Sequence, residues 1–379
     1  MKVLFIQKEG GIFGAEQFHL RMIPALMKTG VELHFLRLYT NHQLGIDSPF
    51  VFRLRELGVT VHQVRIGKYP LPKDIFKVKR IIKDNQFDIV HTHLIHGDLY
   101  GALVKKLFLP KMKLVSTKHG YEESFNNTHG FDPAKAKENL YLKICRFGEK
   151  HVNRSFAISD ALKDFFVGAG ISNPAKMERI HYGFKMKPPF SAEPAGARQD
   201  GPKLIIVGRL VGFKGHRYAL EALKILSRDY PGIHLDVVGI GELEDELRQK
   251  ATDLEISDRV HFLGFRENIG ELMNNADVVM IPSIAEGFGV VFLEAINELR
   301  PVGAFDVPAG NEIFADEYKE YLATPFEVDS LAANVKRLLE EKEQLKPILE
   351  KNKARLNGYF TIDRMISQIV DFYQRVLQE

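Results

Sequence analysis

Lys203-Leu204-Ile205-Ile206-Val207-Gly208-Arg209-Leu210-Val211-Gly212-Phe213-Lys214-Gly215 carries the reading on which the fold turns. An unbroken apolar run that ends in a glycine-rich loop predicts a strand buried on both faces, the kind found in parallel sheets. Just upstream, residues 186–202 are rich in Pro, Ala and Gly without periodicity, which reads as a linker. Downstream, His234–Val238, Val260–Leu263 and Val278–Pro282 repeat the strand pattern. The same alternation precedes the linker, with strands expected at Val3–Gln7, Glu32–Leu38, Val59–Val64, Asp88–His91, Leu114–Lys118 and Ser155–Ile158. Amphipathic stretches such as Ala15–Thr29 and Pro72–Asn85 lie between them. Strand–helix alternation of this kind predicts an α/β fold with two Rossmann-like, doubly wound domains, residues 1–185 and 203–361, facing each other across a cleft.

Composition excludes several classes. At 379 residues the chain is too long for one ordinary domain, and 45% hydrophobic with 27% charged residues is globular. Cys145 is the single cysteine, so neither an internal disulfide nor a cysteine zinc site is available, and a cytoplasmic location is expected. The apolar run at the N-terminus is too short for a signal peptide, and no uncharged run approaches the ~20 residues of a spanning helix. The sequons at Asn126 and Asn153 are then chance matches. A net charge of +3 hides a split: residues 1–190 hold 30 Lys+Arg against 17 Asp+Glu, and residues 191–379 hold 22 against 32. No nucleic-acid motif accompanies the basic half, and the chain has no tryptophan.

Three loops concentrate the chemistry. Gly10-Gly11-Ile12-Phe13-Gly14-Ala15-Glu16 follows the first strand, where backbone N–H groups could meet an anion or the glycines could simply form a tight turn. It has neither the dinucleotide fingerprint nor the P-loop lysine. Arg209 and Lys214 follow the strand at 203–207; the pair suits a diphosphate, or is an ordinary solvated basic loop. Finally, Pro282-Ser283-Ile284-Ala285-Glu286-Gly287-Phe288-Gly289-Val290-Val291-Phe292-Leu293-Glu294-Ala295 takes a strand into a helix expected to begin near Phe288 or Gly289. Glu286 sits in its loop, free for hydroxyls or simply solvated. Glu294 is expected inside an apolar helix face, where it wants a polar partner, either a ribose diol or a nearby cation. His91, His93, His96 and Asp98 leave three readings open: a metal site, an acceptor-cleft lining, or plain hydrogen-bonded histidines.

Glu286 and Glu294, separated by seven residues in Glu-Gly-Phe-Gly-Val-Val-Phe-Leu-Glu-Ala, resemble the signature of glycosyltransferase family 4, retaining enzymes of the GT-B fold. The resemblance runs along nearly the whole chain. Gly208-Arg209-Leu210 with Lys214-Gly215, Val238-Gly239-Ile240-Gly241, Phe262-Leu263-Gly264 and Ala276-Asp277-Val278 stand in the family's order. In the first half Gly10–Glu16, Asp88-Ile89-Val90-His91-Thr92-His93, Lys118-His119-Gly120 and Ala157-Ile158-Ser159 match as well.

The resemblance implies an acceptor-binding first domain and a second domain that binds a nucleotide-diphosphate sugar, with a UDP-sugar favoured. Arg209 and Lys214 would neutralise the leaving diphosphate, in place of a metal. Backbone N–H groups around Gly287, Phe288, Gly289 and Val290 would hold donor sugar or phosphate, with Gly239 and Gly241 also at the donor. Glu286 would bind hydroxyls of the transferred sugar, and Glu294 the ribose. Gly11 and Gly14 would close on the pyrophosphate, and His119 would contact the sugar near the reacting carbon. No cofactor and no metal is expected, nor a nucleic-acid partner. Residues 362–379 would pack back on the first domain as a helix. The family pattern is broken at Glu298-Leu299-Arg300 and at Pro308-Ala309-Gly310-Asn311, which weakens assignment of the donor sugar by analogy.

The expected activity is retaining transfer to an acceptor hydroxyl in bacterial surface glycan or glycolipid assembly. A catalytically silent nucleotide-sugar-binding subunit and a nucleotide-sugar epimerase of the same fold are the alternatives. Lys73–Lys83 and Leu103–Lys113 read as basic amphipathic patches. They fit either a peripheral seat on anionic lipid at the inner membrane face, below a lipid-linked acceptor, or ordinary core-facing helices with solvated lysines.

Overall fold

A computed structural model describes residues 1–9, 14–40, 48–67, 69–185 and 201–379. Residues 186–200 of the expected linker at 186–202, and Gly11 of the first glycine-rich loop, lie outside the described residues. Chain packing divides the molecule into two compact units. The first comprises residues 1–121, 132–185 and 362–379; the second comprises 122–131 and 186–361. The expected first domain of residues 1–185 therefore differs at one place: Glu122–Phe131 packs with the second unit.

The first unit is a parallel sheet of seven strands, β1 (Lys2–Lys8), β2 (Glu32–Tyr39), β3 (Thr60–Arg65), β4 (Ile89–His93), β5 (Leu114–Lys118), β6 (Arg154–Ala157) and β7 (Met177–Arg179). Its order is β3-β2-β1-β4-β5-β6-β7. The central strands β1, β4 and β5 are covered on both faces, and β4 and β5 are buried throughout although His91-Thr92-His93 and Ser116-Thr117-Lys118 at their carboxyl ends are polar. In register, Phe5 of β1 lies between Phe35 of β2 and His91 of β4. The strand at Met177–Arg179 gave no sequence signal, since three residues are too few to show a period.

Helix Ile362–Gln378 belongs to this unit. It buries Met365, Ile366, Ile369, Phe372, Tyr373 and Val376, the stripe its helical spacing demands. Tyr373 reaches His91 Nδ1 through a 2.6 Å hydrogen bond.

The second unit is a parallel sheet of five strands, β8 (Lys203–Val207), β9 (His234–Val238), β10 (Val260–Gly264), β11 (Val278–Ile281) and β12 (Val302–Ala304), in the order β10-β9-β8-β11-β12. Strand order reverses between β8 and β11. In open α/β sheets such a switch point opens a crevice at the carboxyl ends of the two strands, where ligands bind. The loops that leave β8 and β11 are those carrying Arg209, Lys214 and Glu286.

Candidate functional site

Three glycines let the loops of the second unit meet. Gly239, at φ +139°, lies so close to the Gly208 carbonyl that a Cβ would stand 1.9 Å from it. A Cβ on Gly241 would stand 2.4 Å from the Leu210 carbonyl, and Leu210 N–H donates to the Ile240 carbonyl at 3.1 Å. These two glycines, expected at the donor, thus pack the β9 loop against the β8 loop. Gly215, at φ +74°, ends the basic loop; a Cβ there would stand 1.8 Å from the Pro282 carbonyl at the end of β11.

Lys214 Nζ then lies 2.6 Å from Glu286 Oε1, which also accepts from Ser283 Oγ at 2.8 Å. Glu286 is buried and Lys214 half-buried, so the ion pair replaces the water each charge gives up. Arg209 lies 3.4 Å from Glu123 Oε2 through two guanidinium nitrogens. Phe213 lies beneath both cations, 5.7 Å from Arg209 and 5.6 Å from Lys214. Sequence spacing gave the cations; it did not show that each meets a carboxylate.

The helix after β11 spans Val290–Asn297, starting one residue beyond Gly289. Gly289 takes φ +86°, and a Cβ there would stand 2.4 Å from the Phe292 ring. Gly287 is half-buried in the preceding loop, while Phe288 packs its ring against Phe360 at 5.7 Å. Val290 opens the first turn, in which the Phe292 N–H already donates to the Gly289 carbonyl at 3.0 Å. Glu294 is half-buried. It shares the less-buried side of the helix with Val290 and Val291, while Phe292, Leu293, Ala295 and Ile296 face inward.

The first unit gathers its histidines at the carboxyl ends of β4 and β5. His119 Nε2 and His93 Nδ1 are 2.9 Å apart, and His119 Nδ1 bonds the Tyr182 hydroxyl. Tyr182, which the sequence reading missed, is stacked on Phe18 at 4.1 Å. Burial first, then the nearby Lys118 charge, holds His119 down to about 3. Lys118 is itself fixed between Asp98 at 2.7 Å and Glu149 at 3.1 Å. His91 is closed off by Tyr373 and Thr117, and Asp98 by Thr92, Ser116 and Lys118, as plain hydrogen-bonded groups. His96 is half-buried on helix Leu94–Leu107. By ligand type His19, His93 and His119 could hold a metal, their ring nitrogens lying within 4.8 Å of one another. Gly14 opens helix Gly14–Met27 in an exposed position, with nothing among the described residues within 4 Å of an added Cβ.

The family description "Glycosyltransferase Family 4" matches residues 12–186, and "Glycosyl transferases group 1" matches residues 189–355. The chain belongs to glycosyltransferase family 4 and has the GT-B fold of two Rossmann-like domains. An uncharacterized glycosyltransferase of Methanocaldococcus jannaschii is 26% identical over 97% of this chain and 96% of its own. The UDP-Gal:alpha-D-GlcNAc-diphosphoundecaprenol alpha-1,3-galactosyltransferase of Escherichia coli is 24% identical over 79% of each chain. Among solved structures, Anabaena HepE in complex with UDP-glucose superposes with a TM-score of 0.81 at 23% identity, covering 99% of this chain and 100% of that one.

Proposed function

We propose that this glycosyltransferase moves a sugar, with retention, from a nucleotide-diphosphate sugar to an acceptor hydroxyl, a UDP-sugar being the favoured donor. The observation that carries the reading is the convergence of Arg209, Lys214 and Glu286 at the carboxyl ends of β8 and β11, the switch point of the second sheet. Charge develops on the leaving diphosphate as the glycosidic bond breaks, and fixed cations there stabilise the transition state more than the ground state. Arg209 and Lys214 supply those cations in the place of a metal. Glu286 orients hydroxyls of the transferred sugar, Glu294 takes the ribose, and first-turn N–H groups from Val290 onward face the donor. His119, held neutral, is assigned to the sugar near the reacting carbon.

The acceptor class follows from two supports. The Escherichia coli relative is named for an undecaprenyl-diphosphate-linked sugar, and the first unit carries an exposed basic–apolar face. On helix Pro72–Asn85, Ile75, Val78 and Ile82 face the core while Lys73, Phe76, Lys77, Arg80 and Lys83 face outward. Phe76 meets Phe108 at 5.0 Å, joining the two patches read from the sequence. Lys105 is not part of this face, since it turns to Asn153 at 2.6 Å. A lipid-linked acceptor at an anionic membrane surface fits, in bacterial surface glycan or glycolipid assembly.

The test is transfer from radiolabelled UDP-sugars to a bacterial lipid extract in EDTA, with the product anomer read by NMR. Transfer with the donor's anomeric configuration kept, undiminished by EDTA, is expected. An inverted product, or activity lost to EDTA and restored by a divalent cation, contradicts the mechanism.

A further inference from the structure

Both cations at the switch point are already neutralised. Lys214 is paired with Glu286, a residue the donor site needs for the sugar, whereas Arg209 is paired with Glu123, to which no donor role has been assigned. Two cations facing two carboxylates leave no net charge for an incoming diphosphate. One carboxylate must give way, and the two pairs are not equal. Lys214–Glu286 is short and mostly buried, with side chains 18% and 6% exposed; Arg209–Glu123 is long and open, at 37% and 43%. The open pair exchanges more readily, because water can solvate the released carboxylate.

Glu123 is not a passing surface residue. It opens helix Glu123–His129, and the surrounding segment, Glu122–Phe131, leaves the first half of the chain to pack with the second unit. The segment is anchored at further points. Asn127 Oδ1 accepts from the Phe213 backbone N–H at 2.8 Å, and the Asn127 amide lies so close to Gly212 that a Cβ there would stand 2.9 Å from Oδ1. Gly130, at φ +59°, leaves room for only 2.8 Å between a Cβ and the Ile284 carbonyl. The segment thus touches the loop after β8 and the loop after β11. Nothing in the family signature marks it.

We propose that Glu123 is a built-in stand-in for a donor phosphate: its carboxylate occupies the Arg209 guanidinium, and a nucleoside diphosphate binds by displacing it. The inference rests on the donor-site reading above. Glu123 is then a specificity element, favouring ligands with enough negative charge to outcompete a carboxylate, such as diphosphates over neutral sugars.

The experiment is calorimetric titration of the full chain with UDP, GDP and ADP, in wild type, Glu123→Gln and Glu122→Gln. Glu122→Gln makes the same change of charge one residue away. Glu123→Gln is expected to lower the Kd of the bound nucleotide roughly two- to fivefold, the span of an exposed ion pair, with Glu122→Gln near wild type. In an Arg209→Gln background the gain should vanish. A Kd unchanged or raised by Glu123→Gln, or lowered equally by Glu122→Gln, overturns the proposal and leaves the donor site standing if wild type binds. Binding by none of the proteins overturns both.

Discussion

Glu286 keeps its charge inside the second unit because Lys214 and Ser283 both bond its Oε1. Removing either ion therefore does two things at once. Lys214→Met should weaken nucleotide binding and also leave a buried carboxylate with one hydroxyl partner, a cost of about 1–3 kcal/mol. Urea denaturation of the unliganded protein reads that cost; an unchanged midpoint would mean that the pair contributes nothing without donor. The sequence made both residues legible as site residues, through their places after two strand-like runs. It could not show their pairing, because 72 positions separate them and the loops are brought together by contacts distant in sequence, the close approach of Gly215 to Pro282 and the Ile284 N–H donating to the Phe213 carbonyl at 2.9 Å. Leu299 is a second residue that only the structure exposes. It sits in the stretch that departs from the family pattern and takes φ +53°, a conformation glycine adopts without steric cost.

At the scale of elements, long buried strands and amphipathic helices were readable because each repeats a period over several residues. Helix Pro72–Asn85 matches its predicted bounds, and Ile362–Gln378 ends one residue before the predicted 362–379. The missed strands, Met177–Arg179 and Val302–Ala304, are three residues long. The packing of Glu122–Phe131 with the second unit is hidden from the sequence for a different reason: its partners, Arg209, Phe213 and Ile284, are distant in sequence, so no local pattern encodes them. The outward face of Pro72–Asn85 yields a prediction of its own. Each lysine near an anionic bilayer contributes about 1 kcal/mol, so the protein should co-sediment with phosphatidylglycerol vesicles at low salt, and Lys77→Glu with Arg80→Glu should release it. Equal pelleting with neutral vesicles would contradict an electrostatic seat.

For the whole molecule, buried histidines set the response to acid. His19, His91 and His93 are held well below the ordinary imidazole value, chiefly by burial; His119 and His216 are lowered to about 3 and His96 to about 4. In the unfolded chain all six titrate near ~6.5. Below that pH the unfolded state takes up protons that the folded state refuses, so stability falls on acidification. Each histidine contributes a slope of about 1.4 kcal/mol per pH unit until its folded value is reached. The urea midpoint should therefore drop steeply between pH 7 and pH 5; a flat profile would mean the histidines are solvated in the native state.

The central claim is that the switch point of the second sheet binds a nucleoside diphosphate. Thermal stabilisation by UDP, GDP and ADP, measured on wild type and on Lys214→Met, tests it most directly. Saturation at about 100 times Kd adds roughly 2.7 kcal/mol. The account predicts a clear rise in melting temperature with one base, UDP foremost, that is lost in Lys214→Met. No rise with any nucleotide, or a rise that survives the loss of Lys214, would contradict it.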